Sequence, residues 1–179
     1  VRVDFEEKIK GKWPMKIVQI TENQLEGCLD LIHLCFSTVA KKFGFTKENC
    51  PGHTSFMPLE KLQQFWNWRF LMYGLYSQVE NENLLCGYIS LSKVPQRENV
   101  IGIHNLCVLP SLRNKGYGKL LLDHAREKAI ELGGKSLFVD FIEEDTQLKN
   151  WYLKYGFVHK GTEKYDHLPF TVGKAEMLL

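Results

Sequence analysis

Three basic residues and two glycines crowd one short stretch, Val108-Leu109-Pro110-Ser111-Leu112-Arg113-Asn114-Lys115-Gly116-Tyr117-Gly118-Lys119. An apolar strand pattern runs into it and an amphipathic helix pattern leaves it. Backbone N–H groups at such a turn point outward, and the helix start behind them carries partial positive charge. The chemistry is anion binding, most naturally of phosphate. Two nucleotide signatures fail here. The P-loop needs glycine where Arg113 stands and Ser or Thr where Leu120 stands. The dinucleotide pattern needs a third glycine where Leu121 stands. What remains is R-x-x-G-x-G, Arg113 to Gly118.

The composition narrows the ligand classes. The 179 residues predict one domain with a sizeable core, 44% apolar and 25% charged. A net charge of +2 gives no whole-chain footprint for nucleic acid, so no such partner is expected. No stretch approaches the roughly 20 apolar residues of a membrane-spanning helix, and no membrane partner is expected. The first residues, Val1 to Glu7, are too acidic for a secretory signal. Residues 1–14 read as an extension ahead of a domain covering 15–179, with Met15 a candidate start. Five cysteines, an odd number without a C-x-x-C pair, predict reduced thiols in the cytoplasm. Cys50 and His53 have the spacing of half a metal site, but no second pair completes it, so no metal is expected.

The elements that must position the turn follow from periodicity. Met15 to Ile20 reads as a strand. Thr21 or Asn23 caps a helix to about Phe36, and an irregular segment fills 37–58. A helix over Leu59–Leu75 follows, its second half apolar nearly all round. Strands are expected at Tyr76–Glu80 and Leu84–Val94, with a turn at Asn81-Glu82-Asn83, and at Val100–Val108. After the turn come a helix Tyr117–Leu132, a strand Leu137–Ile142, a helix capped by Asp145 or Thr146 and stopped at Gly156, and strands Phe157–Thr162 and Phe170–Leu179. The order βααβββαβαββ predicts an α/β (α+β) sheet with helices on both faces. The strands around Gly116 should run parallel through a right-handed crossover.

The hexapeptide resembles the pyrophosphate signature of the GNAT acetyltransferase superfamily. A second hallmark supports the resemblance: Trp151-Tyr152-Leu153-Lys154-Tyr155-Gly156-Phe157 places a tyrosine ahead of a Gly-Phe pair, one helix and one strand after the first. Phe45 to Pro51 also resembles one bacterial subgroup of that superfamily. The resemblance covers the chain from about Met15. It implies a mixed, mostly antiparallel sheet with a central parallel strand pair, and acetyl-coenzyme A (acetyl-CoA) as co-substrate. Leu106, Cys107 and Val108 would offer backbone groups to the pantetheine arm. Asn114, Lys115, Gly116, Tyr117, Gly118 and Lys119 would cradle the pyrophosphate, with Arg113, Lys115 and Lys119 pairing phosphates. One departure stands out: Asp145 occupies a position where many relatives carry a cofactor-contacting asparagine, and Asn150 lies further along.

The implied reaction moves an acetyl group from a thioester to an amine. A lysine-like amine has a pKa of about 10.4, so a proton must leave on or before attack. The thioester oxygen gains charge and needs a donor, and the departing thiolate benefits from an acid. By the resemblance Tyr152 is the candidate acid; periodicity alone makes it one residue of a buried helix stripe. His104 is the first candidate base, expected on one strand face with Leu106 and Val108. Asp140 is its rival, and a water chain is the third option. Cys107 reads as a buried strand residue, since direct transfer needs no acyl-enzyme. The amine acceptor is not legible: the aromatic residues Phe43, Phe45, Phe56, Trp66 and Trp68 fit a pocket or a homodimer interface, and core is the first expectation for any one of them. A non-catalytic acyl-CoA-binding module is the competing function.

Overall fold

The computed structural model describes residues 14–79 and 82–179. The expected extension therefore lies, apart from Pro14, outside the described residues, as does Asn81 of the expected turn. Among the described residues seven strands form one sheet in the order β1-β2-β3-β4-β5-β7-β6. They are β1 (Met15–Gln19), β2 (Leu71–Val79), β3 (Glu82–Lys93), β4 (Val100–Val108), β5 (Ser136–Ile142), β6 (Val158–Lys164) and β7 (Thr171–Leu178). The α-helices described are α1 (Leu25–Phe43), α2 (Leu59–Asn67), α3 (Tyr117–Glu131) and α4 (Thr146–Tyr155). Every pairing is antiparallel except β4 with β5, as expected. Among the described residues no helix is long and apolar enough to cross a membrane.

Strand alternation shows which face each helix covers. A side chain at Gly87 would meet Leu121 of α3, and Gly87 pairs with Val108. Their neighbours Tyr88 and Cys107 point the other way, where Cys28 and Cys35 of α1 lie. So α1 covers one face and α3 the other. On the α1 face α2 sets Phe65 against His104 at 6.5 Å. Beside α3 runs α4, whose Tyr155 hydroxyl donates to Asp123 at 2.7 Å. Leu25, Cys28, Leu31, Ile32 and Cys35 form the buried stripe of α1, and Leu121, Leu122, Ala125 and Ala129 that of α3.

Glu82 and Asn83 of the expected turn already belong to β3, paired with Val79 and Gln78, and two helix ends also differ from the sequence expectation. Helix α1 continues past Phe36 to Phe43, where Gly44 adopts the left-handed conformation that ends it. Ser37 and Thr38 read as an exit from helix, but their hydroxyls donate back to the carbonyls of Leu34 and Cys35, so the ladder continues. Helix α2 stops at Asn67, not Leu75. Arg69, at φ 63°, turns the chain, and Leu71–Val79 is a strand between β1 and β3. A strand buried on both faces is apolar all round, the pattern a buried helix would also give.

Candidate active site

Strands β4 and β5 pair only from Val100–Gly102 to Ser136–Phe138, and then part. A bulge drives the parting. His104 pairs with Ser90 and Cys107 with Tyr88, so Asn105 and Leu106 together oppose only Ile89. Asn105 sits at φ 53°, a left-handed conformation that asparagine tolerates. No Gly or Pro marks this bulge in the sequence, which is why regular alternation was expected through it. The result is a fork open on the side where β5 has left.

Leu109 donates its amide to Cys86 on β3. Alternate residues of an antiparallel strand bond the same neighbour, so Leu106 and Val108 turn their backbone groups toward the fork. The Val108 carbonyl confirms that direction, since it accepts from Arg113 Nε at 3.2 Å. Cys107 faces α1 instead and is buried, and burial pushes its thiol pKa well up. That leaves it a packing residue with a thiolate too costly for a nucleophile.

At the fork's outer end the chain turns into α3. The amides of residues 114 to 119 have no hydrogen-bond acceptor among the described residues. Gly116 caps the helix at φ 87°, and a Cβ there would meet nothing within 4 Å. This run of open donors at a helix start has the geometry to hold a diphosphate, and the residues there fit that of coenzyme A. At Gly118 a Cβ would make an ordinary contact with Trp151 of α4, 3.4 Å away, so the protein's own packing does not demand glycine there. Lys115 is exposed at the turn, while Lys119 is paired with Asp123 at 2.7 Å and lies over the Tyr155 ring.

Two residues expected at the cofactor bind α1 instead. Arg113 NH1 donates to Thr38 Oγ1 and NH2 to the Cys35 carbonyl, both at 2.9 Å. With the bond to Val108, each guanidinium nitrogen already has a protein acceptor. Asp145 caps α4 by accepting from the Leu148 amide at 3.2 Å, and its carboxylate pairs with Lys42 at 2.9 Å. Its charge is therefore balanced, whereas the sequence left it unpaired. Arg113 at the end of β4 and Asp145 beyond β5 thus clasp α1 across the top of the fork. The expected early end of α1 hid Thr38 and Lys42, so nothing in the sequence flagged these clasps. Asn150 is exposed on α4.

The candidate acid and bases lie on opposite faces. Tyr152 packs against Phe141, Trp151 and Phe157 and is 4% exposed. Its hydroxyl has no partner among the described residues yet is not sealed from solvent. Burial raises its pKa, so the phenol stays protonated at neutral pH. His104 shares its face with Cys107 and not with Val108, a correction that follows from the intervening bulge. Its Nε2 lies 2.8 Å from Ser92 Oγ, and its ring sits 5.0 Å from Phe70. Burial among these groups lowers its pKa to about 4, leaving a neutral imidazole. Asp140 is exposed on β5, and packing neighbours raise its pKa. Gly102 pairs with Phe138, so His104 and Asp140 stand in equivalent register two residues on, flanking the fork on the α1 and α2 face. The two rivals are neighbours across one opening.

The long segment between α1 and α2 forms the wall beyond Asp140. His33 Nε2 anchors it through the Met57 carbonyl at 2.7 Å. His53 is 8% exposed, held by Phe36, Phe45 and Phe56, and its Nδ1 accepts from the Ser55 amide. Phe45, Ala40 and Cys50 pack with Ile142 and Phe170. Among the described residues no three His, Cys, Asp or Glu side chains converge as a metal site would require.

Comparison with known proteins agrees with this fold. The chain is 34% identical over 84 residues to an amino-acid acetyltransferase of Ralstonia nicotianae, an alignment covering 47% of this chain. The chain spans only 18% of that relative's length. The fold matches the ribosomal-protein-S18-alanine N-acetyltransferase of Escherichia coli with TM-score 0.70 at 12% identity, covering 92% of this chain and 94% of that one. It also matches spermidine N-acetyltransferase from Vibrio cholerae in complex with CoA and spermine, with TM-score 0.67 at 13% identity over 92% and 95%. Residues 42–157 match the acetyltransferase (GNAT) family, a range that includes β4, β5, the turn into α3 and Tyr152. The chain belongs to the GNAT family of acetyltransferases.

Proposed function

We propose that this chain transfers an acetyl group from acetyl-CoA to a primary amine by direct attack. The observation that carries the reading is the fork: open backbone donors lead to it from the α3 face, and His104 and Asp140 flank it on the other. Bound there, acetyl-CoA supplies a thioester carbon activated toward amines. The amides of residues 114 to 119 hold its diphosphate, and Lys115 adds the nearest uncommitted cation. Leu106 and Val108 hold its pantetheine arm as an added strand would be held. The open N–H groups along β4 also face the thioester oxygen as it gains charge.

Proton handling falls to three side chains. Asp140 draws the incoming ammonium to the fork. The amine gives up its first proton to water at that open mouth. His104, neutral by burial, then accepts the proton that the nitrogen releases as it bonds to carbon. Tyr152 remains protonated at neutral pH and donates to the departing sulfur. The five buried, unpaired thiols support a reducing compartment, and we place the protein in the cytoplasm.

The test is acetyl-CoA binding by calorimetry, followed by CoA release and product mass with a panel of amines. Binding with amine-dependent release is expected. Binding without release on any amine would mark a non-catalytic acyl-CoA module.

A further inference from the structure

The geometry points to Nδ1 of His104 as the atom that takes the amine proton, with Ser92 as the residue that positions it. The inference rests on the acetyl-transfer reading and assigns the proton step of that same site to one ring nitrogen.

Strand β3 holds His104 at both ends. Ser90, its partner in the ladder, donates from Oγ to the His104 carbonyl at 3.2 Å, just ahead of the Asn105 bulge. Two residues on, Ser92 Oγ lies 2.8 Å from the ring's Nε2. Ser92 pairs with Gly102, and the imidazole leans back over that glycine to reach it. A Cβ at Gly102 would stand 3.1 Å from Nε2 and 3.5 Å from Cε1, so any side chain there would crowd the ring. Phe70, 5.0 Å away between ring centres, packs against the imidazole.

The two ring nitrogens therefore have different surroundings. They point away from each other across the imidazole, so a ring that aims Nε2 at β3 aims Nδ1 away from it. The other flank of β4 is the fork, where β5 has parted. Nδ1 has no hydrogen-bond partner among the described residues, yet it is not sealed from solvent. A neutral imidazole carries one N–H and one bare nitrogen. With the hydrogen on Nε2, Ser92 Oγ accepts it and the bare Nδ1 is free to act as a base. With the hydrogen on Nδ1, the ring would present a donor to the fork and could take no proton there.

The same serine serves the charged ring. As the amine lone pair bonds to the thioester carbon, the electrons of one N–H bond stay on nitrogen. The released proton passes to the Nδ1 lone pair. The imidazolium then carries hydrogen on both nitrogens, and its Nε2–H makes a charge-assisted bond to Ser92 Oγ. Water at the open fork takes the proton from Nδ1 and restores the starting tautomer. Without the hydroxyl, Nε2–H would lose its acceptor just as the ring becomes charged.

The experiment reads the tautomer and the rate separately. Long-range proton–nitrogen correlation spectra of isotope-labelled protein at pH 7 should show a single His104 tautomer, with Nε2 protonated and Nδ1 bare. Ser92→Ala should mix the two tautomers, and Ser92→Thr, which keeps the hydroxyl, should restore one. Kinetics use acetyl-CoA with phenethylamine, spermidine, glutamate and an alanyl peptide, following the amine that turns over fastest. Ser92→Ala should lower kcat by about tenfold, the scale of one hydrogen bond to a charged group, with little change in amine KM or CoA affinity. Ser92→Thr should recover most of that loss. In a His104→Ala background, Ser92→Ala should cost nothing further. A protonated Nδ1 in the native protein, an unchanged kcat in Ser92→Ala, an equal loss in Ser92→Thr, or a further loss on top of His104→Ala overturns the inference and leaves acetyl transfer standing. Acetyl-CoA binding with none of the four amines acetylated overturns the acetyl-transfer reading, and the inference with it.

Discussion

Tyr152 and His104 are both tuned by burial, in opposite senses. Burial raises the tyrosine pKa and lowers that of the histidine to about 4. Both residues are neutral at pH 7, one able to give a proton and the other to take one. Tyr152→Phe should lower kcat by about a hundredfold, the low end for loss of a general acid, and leave CoA affinity within error. An unchanged kcat would assign the departing sulfur's proton to water. The pH profile offers a separate check. With His104 near 4, kcat/KM should rise smoothly with pH as the amine loses its proton, without an inflection near 6.5. An inflection there that vanishes in His104→Gln would mean that the free enzyme holds an ordinary, hydrated imidazole.

The elements show what the sequence could and could not tell. The strand–turn–helix around Gly116 was legible because each of its signals is local: an apolar strand, a positive-φ glycine and an amphipathic helix. The α4 cap and the Gly156 stop were legible for the same reason. The fork was not, because the Asn105 bulge depends on pairing with β3, a partner more than ten residues away. Nor were the clasps, because Arg113 looks like a phosphate ligand until Thr38 and Cys35 are placed beside it. Two substitutions separate these roles. Gly116→Glu puts a carboxylate among the open amides at a position free of neighbours; CoA affinity should fall at least a hundredfold while the fold survives, its strain near about 1–2 kcal/mol. Arg113→Met should do the reverse, costing about 1–3 kcal/mol in denaturant unfolding through its lost hydrogen bonds, with a smaller loss in CoA affinity. If Arg113→Met weakens CoA binding as much as Gly116→Glu does, the arginine reaches phosphate as well.

Across the whole molecule, three histidines share one property. His53, His104 and His124 all have their pKa lowered chiefly by burial. Unfolding exposes them to water, where each titrates near 6.5. Below that value the unfolded chain binds protons that the native protein refuses, so stability falls as pH drops toward 4. Urea unfolding midpoints should therefore decline between pH 6.5 and 4, and His104→Gln should flatten part of that decline. A midpoint flat across this range would mean that the three rings are hydrated in the native state.

The fork also gives the sheet two doorways. The diphosphate turn belongs to the α3 face, and the aromatic wall with Asp140 belongs to the face of α1 and α2. In the proposed reaction the donor and the acceptor would enter from opposite sides, so neither would need to leave before the other arrives. With Cys107 buried and turned toward α1, its thiol offers the acetyl group no parking place between visits. Double-reciprocal plots should intersect, as for two substrates present together; parallel lines would reveal a covalent stop along the way. A product amide leaves by the door its amine used, so accumulated amide should compete with the amine and not with acetyl-CoA.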